Sequence, residues 1–187
     1  TSEQHTDGET RSTSSSSPNT THFYFENNGL FDAWISSFKT SGRNLTDSEM
    51  VFIASLFNSK LKIHYGEVVY IVGIGDEIIE VSKNGYGHWQ AVKNNSSITT
   101  DGNGFCSLHA MFGTYVNGIC SVKDVLEMKR VIIAKIIENK DALLHSDLCL
   151  SLLNEIKRYN PLDELERGEW GCIAEARHRY DAEMVVA

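Results

Sequence analysis

NGYGHWQAVKNNSSITTDGNGFCSLHAMFG, residues 84–113, is where the chain changes its period. Through His88–Val92 polar and apolar residues alternate, as in a half-buried strand. From Cys106 onward the apolar residues recur at helical spacing. Between them Lys93–Gly104 is polar and rich in asparagine and glycine, the composition of a loop. The stretch therefore places a sheet before it and helices after it.

Working outward toward the N-terminus, Leu61–Tyr65 alternates, Val68–Ile74 is β-rich and closed by Gly75-Asp76, and Glu77–Val81 reads as a further short strand. With His88–Val92 these predict a small antiparallel meander of three or four strands. Ahead of them Leu30, Trp34, Ile35 and Phe38 share one helical face. A second helix starts at Thr46-Asp47-Ser48-Glu49, with Thr46 or Asp47 as N-cap and Met50, Ile53, Ala54 and Phe57 on its apolar side. Toward the C-terminus, helices are expected over Cys106–Tyr115, Val122–Asn139 and Asp147–Tyr159, with one or two shorter ones in Pro161–Tyr180. Met184–Val186 reads as a last strand or a tail. The order helices, sheet, helices predicts an α+β domain with one small sheet flanked by helices. Residues 1–21 hold almost nothing apolar, cannot offset ordering entropy, and are expected to be a disordered lead-in to a domain over residues 22–187. The start at Thr1 without a methionine or an apolar signal segment reads as a fragment of a longer protein.

A length of 187 residues and an apolar share of 41% are ordinary for a globular domain. The formal charge of −8, with no basic stripe, argues against nucleic acid. No apolar run is long enough to predict a membrane span. The cysteines, Cys106, Cys120, Cys149 and Cys172, form no Cys-x-x-Cys pair, so reduced thiols are expected and neither a zinc site nor another metal centre is. Asn-x-Ser/Thr sites at Asn19, Asn44, Asn94 and Asn95 read as chance.

Cys106 has two readings. A thiol in the first turn of a helix faces unpaired N–H groups and the positive dipole end, which lower its pKa. The glycines at 102 and 104 let backbone N–H groups turn inward as an oxyanion hole requires, so Asp101, Gly102, Asn103 and Gly104 are the candidate oxyanion loop. The other reading is a small buried residue beside a turn. His88 is the best-placed base: on a strand it shares a face with Gln90, whose amide could hold the imidazole tautomer. His5 and His22 fall in or beside the polar lead, His64 lacks an orienting neighbour on its strand, and His145 and His178 sit in polar contexts.

Together these residues resemble the ovarian-tumour (OTU) deubiquitinases, cysteine proteases of papain-like architecture. Asp101-Gly102 with Cys106-Ser107-Leu108-His109-Ala110 is similar to the family's nucleophile motif, although Asp101 stands five positions before the cysteine, two more than in that motif. His88-Trp89 is similar to its base motif, and Gly168-Glu169-Trp170-Gly171 to its Trp-Gly element, with Glu175 in the helix after it. The resemblance covers about 130 of the 187 residues. The order is reversed: His88 precedes Cys106. Leu45–Val92 resembles the family's C-terminal half and Asp101–Trp170 its N-terminal half, so the resemblance implies a circularly permuted OTU fold whose old termini are joined through Lys93–Asn103.

The resemblance further implies a cofactor-free thiol protease that hydrolyses isopeptide bonds after the C-terminal glycine of ubiquitin. Its expected catalytic residues are Cys106, His88 and Gln90, with Gln90 where the family usually has Asp or Asn. Ubiquitin or polyubiquitin would be the partner, with Trp89, Tyr86 and His109 as walls of a narrow cleft. Trp89 and Trp170 also read as core packing, and the acidic residues of 163–169 as a solvated helix end. A monomeric bacterial effector secreted into a host cytosol, or otherwise a cytoplasmic enzyme, is the implied setting. Two alternatives remain: a non-catalytic ubiquitin-binding module, and a papain-like acyl hydrolase or transferase acting on another substrate.

Overall fold

The computed structural model describes residues 20–159 and 171–186. Two helices open it, α1 (Thr20–Thr40) and α2 (Asp47–Leu56). Strands β1 (Ser59–Tyr65), β2 (Val68–Val72), β3 (Glu77–Lys83), β4 (Trp89–Lys93) and β5 (Ser96–Ile98) come next. Then come α3 (Cys106–Phe112), a hairpin of β6 (Thr114–Val116) and β7 (Ile119–Ser121), α4 (Val125–Glu138), α5 (Lys140–Leu144), α6 (Asp147–Arg158) and α7 (Gly171–Val186). The architecture is mixed α+β, with seven helices, a five-stranded sheet and a two-stranded sheet among the described residues.

The five strands lie in the order β2-β1-β3-β4-β5. This corrects the expected antiparallel meander, because β1 and β3 run parallel, with Leu61 beside Ile79 and Ile63 beside Val81. Alternation in the sequence tells which side chains share a face, not which strand becomes the neighbour. The decisive contacts lie at the start of β1, where the N–H groups of Asp76 and Glu77 both donate to the Asn58 carbonyl. They draw the chain back past the first strand and leave β2 at the edge. The crossing is so close that a Cβ on Gly75 would lie 2.2 Å from the Asn58 carbonyl carbon, so only glycine fits.

One sheet face, with Leu61, Ile63, Val81, Trp89 and Ala91, is buried against α2 and α3. The other presents a polar set, including the cross-strand pair Lys62–Glu80 at 2.9 Å. Behind α2 and α3 the remaining helices form the rest of the core. There Trp34 of α1 stacks on Phe38 and meets Phe52 edge-on, with ring centroids 5.3 and 5.6 Å away.

The expected lead-in over 1–21 falls mostly outside the described residues, but Thr20 and Thr21 open α1 rather than ending a linker. Met184–Val186 closes α7 instead of forming a strand. Glu175 lies in α7, whereas Trp170 and the acidic residues of 163–169 lie outside the described residues. Lys93–Gly104 contains β5, turned by Asn94 and Asn95 in left-handed conformations (φ 51° and 61°). The predicted helix over Cys106–Tyr115 stops at Phe112, and the Asn117-Gly118 turn folds Thr114–Ser121 into a hairpin. Cys106, Cys120 and Cys149 are buried free thiols.

Helix α2 begins at a capping box. The Glu49 N–H donates to Thr46 Oγ1 at 3.3 Å, and the Thr46 N–H donates to Glu49 Oε2 at 2.7 Å. Trp34 Nε1–H donates to the other Glu49 oxygen at 2.9 Å. Burial dominates over these hydrogen bonds and, helped by nearby Glu155, pushes the Glu49 carboxyl up to about 7. A carboxyl raised in the folded state stabilises by holding its proton. That contribution is full below the ordinary value of 4.5 and is lost as pH rises through about 7. The melting temperature is therefore expected to fall between pH 6.5 and 8, by a loss on the order of 1 kcal/mol. Glu49→Gln should flatten that slope, as thermal melts across the window would read.

Candidate active site

The seat of Cys106 is built by two loops pressed together. Phe105 N–H donates to Asn103 Oδ1 at 3.2 Å, closing a tight turn. Gly104 in that turn has φ +87°, and a Cβ there would lie 2.7 Å from the Gly42 carbonyl oxygen in the α1–α2 loop. Lys129 of α4 fixes the other loop by donating to the carbonyls of Phe38, at 2.8 Å, and Ser41. Its Nζ also lies 5.2 Å from the centre of the Phe105 ring. Leu45 N–H donates to Ser107 Oγ at 3.2 Å, tying that loop to α3 itself.

In this seat Cys106 is 2% exposed. Its Sγ–H donates to Asn44 Oδ1 at 2.9 Å, and the Trp89 N–H donates to the sulfur at 3.4 Å. Burial pushes the thiol above its ordinary pKa, while the N–H groups of Trp89, Ser107 and Cys106 and the Asn44 side chain pull it down. Burial wins, which corrects the expectation of a thiol acidified by its helix start. The resting group is therefore a thiol.

The Trp89 contact joins the start of β4, one residue after His88, to the first turn of α3. His88 is half-buried, and its own N–H donates to Asn84 Oδ1 at 3.0 Å. Thr100 sets the ring. Thr100 Oγ1 donates its one proton to the Trp89 carbonyl at 2.6 Å, so toward His88 Nε2, 3.1 Å away, it must accept. Nε2 therefore carries the imidazole proton and Nδ1 keeps its lone pair. Thr100 is buried, and the adjoining Thr99 carbonyl takes the Cys120 N–H of β7 at 2.8 Å.

Gln90 does not occupy that place. It pairs with Ser82 in the sheet and lines a depression of about 310 Å³ with His64, Ser82 and Ser97 on the open face. Thr100 holds the His88 ring instead. The cleft walls also differ from expectation. Trp89 is 1% exposed and packs in the core under the Lys83 ammonium, 5.2 Å from its ring centre. His109 is fully buried. Its Nδ1 accepts the Val122 N–H at 2.8 Å, so Nε2–H donates to Asn103 Oδ1 at 2.9 Å. Burial lowers its pKa against the opposing pull of Asp101, and the neutral ring pins the candidate oxyanion loop to the exit of β7. Of the three expected walls, Tyr86 alone is exposed. Asp101 and Gly102 lie on the exposed side of the same loop.

Asn44 and Thr100 are the site residues that sequence reading missed. Asn44 reaches Cys106 across 62 positions and Thr100 reaches His88 across 12, and neither position carries a local signal. Compared with known proteins, the chain matches no family model, no curated protein and no solved structure. Among the described residues no cluster of His, Cys, Asp and Glu is disposed to hold a metal ion, and no helix is long and apolar enough to cross a membrane.

Proposed function

We propose that this chain is a thiol hydrolase of the OTU type, with a permuted papain-like fold, that cleaves the isopeptide bond after the C-terminal glycine of ubiquitin. The observation that carries the reading is the junction of β4 with α3. A thiol at the helix start touches the backbone of the residue after His88, and Thr100 holds that histidine in the tautomer with Nδ1 free. The permuted order is supported by a sheet that reaches His88 before the Cys106 helix begins, with only the β5 hairpin and the loop to Phe105 between.

In the proposed reaction His88 Nδ1 takes the Cys106 proton, and the sulfur attacks the glycine carbonyl. Backbone N–H groups around Gly102–Cys106 hold the oxyanion. The tetrahedral intermediate expels the lysine amine, which receives the proton from His88, and leaves a thioester. Water, deprotonated by His88, attacks the thioester and releases the ubiquitin carboxylate, and the proton returns to the sulfur. The reduced state of Cys106, Cys120 and Cys149 suits a cytosol, and we propose a bacterial effector working in a host cell as the setting.

The near-complete burial of Cys106 favours a second reading, a ubiquitin-binding module that keeps the seat without turnover. Release of a fluorophore from the ubiquitin C-terminus separates the two. Turnover that disappears in Cys106→Ala is the expected result. Binding to ubiquitin without release would establish the module, and hydrolysis of only simpler thiol-protease substrates would point to another acyl substrate.

A further inference from the structure

We propose that Asn44 is a positioning residue that serves the Cys106 sulfur in both of its protonation states. Its Oδ1 accepts the thiol proton at rest, and after a half turn of the amide its Nδ2 donates to the sulfur as negative charge develops. The inference rests on Cys106 being the nucleophile, and not on ubiquitin being the substrate.

The geometry is specific. The sulfur receives backbone N–H groups, the nearest across the fold being that of Trp89 at 3.4 Å, and its own proton goes to one side-chain acceptor, Asn44 Oδ1 at 2.9 Å. When the proton leaves, an acceptor facing a thiolate becomes repulsive. A backbone carbonyl could not adapt, whereas a primary amide carries an acceptor and two donors on one planar group and exchanges them by rotation. Among the described residues no hydrogen bond ties Asn44 Nδ2, and the side chain is half-buried, so turning the amide breaks only the S–H contact. The position itself is not free to drift. Lys129 holds Ser41, Ser107 holds Leu45, and the capping box holds Thr46. A charge-assisted N–H to sulfur bond is the stronger of the two states, so the residue favours the thiolate on balance.

The titratable and charged side chains on the segments packed at this seat are Arg43 beside Asn44, His88 before β4, His109 on α3, Asp101 in the adjoining loop and Lys129 on α4, and the Asn44→Ala substitution changes none of these residues.

The test is the pH midpoint of Cys106 alkylation by iodoacetamide, followed on the Cys106 peptide by mass spectrometry, in the full chain and in Asn44 variants. Asn44→Ala removes the donor and is expected to raise the midpoint by about one pH unit, a tenfold loss of thiolate at fixed pH. Asn44→Asp keeps the shape but puts a carboxylate against the sulfur, and should raise it further. A role in packing alone would lower the melting temperature and leave the Asn44→Ala midpoint where it is. An unchanged or lowered midpoint in Asn44→Ala overturns the proposal. If that variant does not fold, an unchanged midpoint in Asn44→Asp does so. A raised midpoint in a chain that releases nothing from ubiquitin would uphold this inference and defeat the substrate assignment.

Discussion

Cys106→Ala is expected to leave no measurable cleavage of a ubiquitin chain, with a melting temperature within a few degrees of the parent. The two halves of that expectation come from different physics. The reaction loses the atom that forms the thioester, and no other described thiol can replace it: Cys120 donates its S–H to the His109 carbonyl behind α3, and Cys149 lies in the α6 core with a thiol that burial pushes up to about 12. The fold loses one sulfur at a helix start, with a weak hydrogen bond to Asn44, a change of about 1 kcal/mol. In a domain of this size that is a shift of about 2–4 °C. Chain cleavage read on a gel, beside a thermal melt, checks both halves. A variant that kept its activity would remove Cys106 from the mechanism.

His88→Ala is expected to slow turnover by about 10²–10⁴-fold, the usual contribution of a general acid–base group. The loss should be large here because the resting thiol is not acidified: burial holds it above its ordinary range, so little thiolate forms without a proton acceptor. Thr100→Val is the companion. It keeps the shape and removes the acceptor that sets the His88 tautomer. One hydrogen bond of this kind is worth up to about tenfold, and the loss should fall on kcat rather than KM. If the Gln90 amide oriented His88, Gln90→Ala would cause the larger defect. Its place on the open face of the sheet predicts that it will not. Steady-state kinetics on the three variants decide the order.

The proposed nucleophile and base could be picked out of the sequence, and the side chains that contact them in the structure could not. Cys106 and His88 sit beside turns that a single chain segment defines, and the Thr46–Glu49 capping box announces α2 in four consecutive residues. The apolar stripe of α4 likewise placed Ile132 and Ile136 in the core. Asn44 and Thr100 act through contacts that exist only after the sheet, α3 and the α1–α2 loop have come together. The same limit explains the sheet. Alternation in Leu61–Tyr65 and Glu77–Val81 gave their buried faces, but the parallel pairing depends on the Asn58 carbonyl at a crossing that no period encodes. The β6–β7 hairpin is a different case, since Asn117-Gly118 is itself a strong turn signal, overridden by a helical reading carried too far past Phe112.

The most direct test is reaction of the full chain with ubiquitin bearing a C-terminal electrophile, with the products read by intact mass and peptide mapping. A single adduct on Cys106, absent from Cys106→Ala and formed far more slowly in His88→Ala, is the predicted result. No adduct at all, or one attached to Cys120, Cys149 or Cys172, would contradict it.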